Sequence, residues 1–93
     1  MQIKVEAVKV KREDHNMTAP DKWAVTVTVA ATATATEGFT KREHTAYETV
    51  ERQCYARTDL ESTKHHATLD AKHAARRAAV LGAMAALDTA RGL

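Results

Sequence analysis

Large side chains are scarce in this chain. Aromatic residues make up 4% of its 93 residues: Trp23, Phe39, Tyr47 and Tyr55. That excludes a core built on stacked rings and points to one assembled from small residues at close backbone separation. Small side chains bury little apolar area each, at about 25 cal/mol per Å², so further burial against a second subunit is expected. A single cysteine, Cys54, excludes an intrachain disulfide framework and fits a reducing compartment. The only proline, Pro20, and three glycines leave few breakers, and no Gly-rich phosphate loop is present. The longest uninterrupted apolar run, residues 78–87, is too short to span a bilayer, which needs about 20 residues. Residues 1–6 lack the apolar stretch of a secretion signal. Together these features predict a soluble cytoplasmic protein, and 93 residues predict one domain, 1–93.

What is present is alanine, threonine and valine, arranged with clear periodicity. Residues 2–11 are rich in β-branched side chains and read as a strand. The polar stretch 12–22, with Asp14, Asn16, Pro20 and Asp21, reads as a loop. Residues 23–36 give the clearest strand, with Val25, Val27, Val29, Ala31, Ala33 and Ala35 on one face. Thr26, Thr28, Thr32, Thr34 and Thr36 take the other, and such alternation marks a half-buried strand. At ~3.3 Å per residue it is about 46 Å long. Glu37-Gly38 then supplies a tight turn.

Residues 39–57 admit two readings: a helix with a Tyr47, Val50, Cys54 stripe, or a strand. The preceding turn and the β-formers Thr45, Tyr47, Thr49, Val50 and Tyr55 favour the strand. From residue 58 to residue 90 the pattern is helical. Thr58-Asp59-Leu60-Glu61 fits a capping box. Leu60, Ala67, Ala71, Ala74, Ala75, Ala78, Gly82 and Ala85 form a stripe at helical spacing. Unbroken, this helix is about 48 Å long. A break near Thr68 is the alternative. The predicted fold is therefore α+β: a three-stranded antiparallel meander packed by one long C-terminal helix, β-β-β-α.

The helix changes character along its length. Between Ser62 and Leu87 its charged residues are Lys64, Lys72, Arg76 and Arg77 against Asp70 alone, a local charge of +3, with His65, His66 and His73 beside them. A basic helix of this kind predicts phosphate contacts from Lys64, Lys72, Arg76 and Arg77. The competing expectation is a solvated face balanced by Glu43, Glu48 and Glu51 of the sheet. Farther along, the helix is apolar all round, which is normal only for a buried helix. With its small face on the sheet, Val80, Met84 and Leu87 are expected to form a self-association surface, making the protein a dimer. The alternative cover is the 12–22 loop with Trp23.

Other candidates carry less. His66, Asp70 and His73 stand at i, i+4 and i+7, but the two histidines lie about 10 Å apart along a helix, too far for one zinc ion. No Cys-x-x-Cys or His-Glu-x-x-His accompanies them. Neither a metal nor a cofactor is expected. Cys54 lies near Arg52 and Arg57 in sequence but reads as a small buried hydrophobe. The threonine array reads as a wet sheet face, and no catalytic constellation suggests an enzyme.

The segment Ala71-Lys72-His73-Ala74-Ala75-Arg76-Arg77-Ala78-Ala79-Val80 resembles the last helix of double-stranded-RNA-binding domains, with Ala71, Lys72, Ala75 and Ala79 matching its pattern. In that family a small-residue helix packs on three antiparallel strands, and a lysine pair before the matched alanine grips phosphates. Thr68 and Leu69 occupy the lysine positions here, and the opening strand leaves no room for the family's first helix. Lys64, Lys72 and Arg76 would substitute as bases. The resemblance implies the β-β-β-α order and a partner of double-stranded nucleic acid. A protein-interaction module, an inhibitor or assembly factor using the apolar helix half or a sheet edge, is the second functional expectation.

Overall fold

The computed structural model describes residues 1–92; Leu93 lies outside them. Three strands, β1 (Gln2–Ala19), β2 (Lys22–Glu37) and β3 (Thr40–Cys54), precede a 3-10 turn (Arg57–Asp59) and one helix, α1 (Leu60–Ala90). The strands form an antiparallel sheet in the order β1-β2-β3, with α1 packed on one face. The fold is α+β, β-β-β-α. Its extents of 56 × 18 × 15 Å make it a rod, because sheet and helix run the same length side by side.

The alternation in β2 does what its pattern dictates. Val25, Val27, Val29, Ala31, Ala33 and Ala35 are all fully buried beneath α1. The threonines face away, and two of their hydroxyls tie β2 to β3: Thr28 to Thr49 at 2.8 Å and Thr32 to Thr45 at 2.7 Å. Two-residue turns join the strands. Pro20 fixes φ in the first, and Asp21 takes the left-handed region (φ 59°), which Asp tolerates. The second is Gly38-Phe39 rather than Glu37-Gly38, since Glu37 still pairs with Thr40. Gly38 (φ 60°) supplies its left-handed position.

Two expectations about these elements are corrected, and the alternative of a broken helix falls. Residues 12–22 are not a loop, because β1 continues to Ala19 along β2, with Arg12 opposite Thr28 and Met17 opposite Trp23. Both faces of this stretch are wet, so no alternation marks it. The predicted capping box does not form: Thr58 and Asp59 belong to the 3-10 turn, and no side chain caps the helix. Nor does the helix break at Thr68, whose hydroxyl donates back to the Lys64 carbonyl at 2.8 Å within an unbroken α1.

The buried row on α1 is Leu60, Ala67, Ala71, Ala75, Ala79, Ala83 and Leu87. From Ala67 onward it advances four residues at a time. Each step is about 40° ahead of a full turn, so the row winds right-handedly about the helix. The strand beneath twists with the same hand, and the row follows it. Ala78, Gly82 and Ala85, expected beneath the helix by a straight wheel, are turned aside by this drift. Ala85 is exposed.

Positions just before the buried row face β3. Asp70 accepts a 2.8 Å hydrogen bond from Arg52 Nε, and Gly82 lies under the His44 ring. A Cβ built on Gly82 would sit 2.1 Å from His44 Cδ2 and 2.5 Å from Cγ. Rotation about χ2 leaves Cγ in place, so only a new χ1 rotamer clears the clash. Gly82→Ala is therefore expected to destabilise the protein despite the gain of about 1 kcal/mol in helix propensity. In a His44→Ala background the same change should turn stabilising, a sign reversal measurable by urea denaturation of the double-mutant cycle.

Candidate nucleic-acid interface

The winding of α1 sorts the basic residues by environment. Lys64 shares a row with Thr68, Lys72, Arg76, Val80, Met84 and Asp88, and its ammonium marks that row as the β1 side by reaching Glu13 at 3.9 Å. It also lies 3.5 Å from Glu61, and its side chain is only 18% exposed. Two neighbouring carboxylates and partial burial leave Lys64 less available to a phosphate than the other three. Lys72 is half-buried, with its stem along the β1 side. Arg76 and Arg77 are exposed. Among the described residues no carboxylate lies within ion-pair distance of Lys72, Arg76 or Arg77.

The one acid of this region is already engaged. Asp70 binds Arg52, with Nη2 at 2.6 Å. Sheet register disposes of two further acids: Glu43 pairs with Thr34 and Glu51 with Thr26, both on the face opposite the helix. Only Glu48, opposite Val29, shares the helix side. The expected balance from three glutamates is thus reduced to one.

His65, Leu69, His73, Arg77, Leu81, Ala85 and Thr89 form the outward row, and all are exposed. His65 and His66 stand edge to face, ring centroids 5.8 Å apart. Among the described residues no three His, Cys, Asp or Glu side chains come together in a way that could hold a metal ion. Cys54 is buried as part of the hydrophobic core.

The expected association surface is only partly in place. Val80 and Met84 are half-buried on the β1 side of α1, but Leu87 is fully buried against the sheet. The four-residue drift carries Leu87 under the helix, so it belongs to the core and not to an outer surface. Sequence reasoning passed over the exposed apolar residues: Ile3, Val5 and Val10 of β1, Phe39 at the β2–β3 turn, and Leu81. The β1 valines alternate with lysines and could have been read as a face without cover. Leu81 and Phe39 carry no signal that separates them from core residues.

No family model, curated protein or solved structure matches this chain. Function therefore rests on the chain's own surfaces. No helix among the described residues is long and apolar enough to cross a membrane.

Proposed function

We propose that the protein binds double-stranded nucleic acid without catalysing a reaction, contacting phosphates through Lys72, Arg76 and Arg77 on the exposed flank of α1. The observation that carries this reading is the isolation of three cations from acids: the nearest helix acid is consumed by Arg52, and Glu43 and Glu51 lie across the sheet. Unneutralised cations on a rigid helix bind a polyanion by releasing its counterions. Arginine suits the task because its fork meets phosphate oxygens two at a time. The order of elements and the Ala71–Val80 resemblance to double-stranded-RNA-binding domains point the same way. Lys64, expected as a fourth contact from the charge of the helix, is omitted because of its two carboxylate partners.

Three phosphate contacts on a duplex predict an affinity about 40-fold weaker at 200 mM salt than at 50 mM. Fluorescence polarisation with labelled duplex DNA and duplex RNA reads this directly. Arg76→Glu combined with Arg77→Glu should abolish low-salt binding while the circular dichroism spectrum stays that of the folded protein. Absence of binding by the unaltered protein at 50 mM salt, or an unchanged affinity in the double variant, removes the reading.

A further inference from the structure

A helix is about 10 Å wide and neighbouring strands are about 4.8 Å apart, so one helix covers two strands. α1 lies over β2 and β3 and meets β1 only along its near flank. The consequence is visible across the ladder. Ala35, Ala33 and Val29 are fully buried, whereas their partners Ile3, Val5 and Val10, on the same face, are 36%, 38% and 42% exposed. With half-buried Val8 they form the floor of an apolar trough, and Val80 and Met84 of α1 form its wall.

The surface area says how much cover is missing. A compact monomer of 10.2 kDa exposes about 5,300 Å². This chain exposes 6026 Å², about 700 Å² more, close to the ~800 Å² that each partner buries in an interface of standard size. Its radius of gyration, 16.9 Å, also exceeds the ~12 Å of a compact chain of this length.

The occupant enters by the face, not by the edge. Register shifts between Val5 and Ala7, Val10 and Arg12, and Met17 and Ala19 interrupt β1, and Lys4, Lys9 and Lys11 stud it. Bulges and lysines are the devices that prevent an edge strand from pairing with another. What fits the trough is a helix of one further helix width, apolar on its outer side. The chain carries that element itself. Residues 78–87 of α1 hold no charge, and Leu81 on their outward row is 58% exposed. This ridge lies at the same end of the rod as the trough, since Gly82 abuts His44, which pairs with Ala33 beside Val5.

We propose that two copies pair about a two-fold axis, the C-terminal half of α1 from each lying in the other's trough with Leu81 against Ile3, Val5 and Val10. Each copy then supplies the missing half of the other's helical layer, and the contact is self-complementary, as closed two-fold symmetry requires. This assignment stands apart from the nucleic-acid reading and is tested without nucleic acid.

Light scattering at micromolar chain concentration should return twice the chain mass of 10.2 kDa. Val5→Glu and Leu81→Glu should each return the single-chain mass with an unchanged circular dichroism spectrum. Where a charged variant fails to fold, disulfide trapping decides: a Val5→Cys chain mixed with a Leu81→Cys chain should form a mixed disulfide on oxidation, which neither chain forms with the unaltered protein. A single-chain mass for the unaltered protein overturns the proposal. So does a dimer that survives both glutamate variants, or absence of the mixed disulfide.

Discussion

Ala75→Leu is expected to cost about 3 kcal/mol, the upper end for overpacking a well-filled core, and to leave the protein barely folded at room temperature. Ala75 is fully buried midway along α1, above the valines of β2. In this stretch the helix is held near the sheet by side chains no longer than a methyl group. Ala67, Ala71, Ala79 and Ala83 share that buried row. A leucine cannot rotate out of the way, because the helix backbone lies on one side and the sheet on the other. It must lift the helix, and a straight rod cannot lift at one point without opening contacts a turn away on either side. The penalty therefore exceeds that of one misplaced side chain. Ala90→Leu, the same change at an exposed position of the same helix, should alter stability by no more than about 0.5 kcal/mol. Urea midpoints of the two variants give the comparison. Equal midpoints would mean that the alanine row does not set the helix–sheet distance.

How far the sequence reveals this fold depends on how much burial each element experiences. β2 lies between two strands and under a helix, so valine is confined to one parity and threonine to the other, with only Ala24 and Ala30 among the threonines, and the correct face was legible. β1 has one neighbouring strand and less of the helix above it. Its second half, Arg12 to Ala19, is held chiefly by the ladder to β2, and backbone hydrogen bonds leave no mark on side-chain choice. That segment looked like a loop for this reason. β3 fell between: its outward residues mix charge with Thr45, Tyr47 and Thr49, and its inward ones include Arg52, Glu48 and His44 beside Val50 and Ala46, which blurs the alternation.

The basic site was legible as composition but not as geometry. Nothing in the spacing of Lys64 distinguishes it from Lys72. The difference is Glu13, far away in sequence, brought within 3.9 Å by the second half of β1, whose sequence has the polarity of a loop. Missing that strand meant missing the partner. Asp70 is a second case: its spacing to His66 and His73 is legible in the sequence, but its partner Arg52, which reaches it from the sheet side, is not.

Leu87→Ala is expected to lower stability by about 3 kcal/mol, or Tm by roughly 15 °C in a domain of this size. Leu87 is among the largest fully buried side chains of the protein, and Leu60 stands at the other end of the same row with alanines between. A straight rod laid on a twisted sheet touches it most closely in the middle and parts from it toward the ends. Leucine at each end fills the wider gap that alanine would leave open. Deleting three carbons at residue 87 thus leaves a space the helix can close only by bending over its last turns, where Arg91 also pairs with Glu37 of β2. The expected signature is a lower Tm in thermal circular dichroism. Leu81→Ala, measured at a chain concentration too low for association, should leave Tm nearly unchanged, because Leu81 meets no core residue within its own chain. The two leucines are six residues apart and chemically identical, so their contrast isolates the winding of the buried row. A straight stripe along α1 would put Leu87 outside and make its truncation as harmless as that of Leu81.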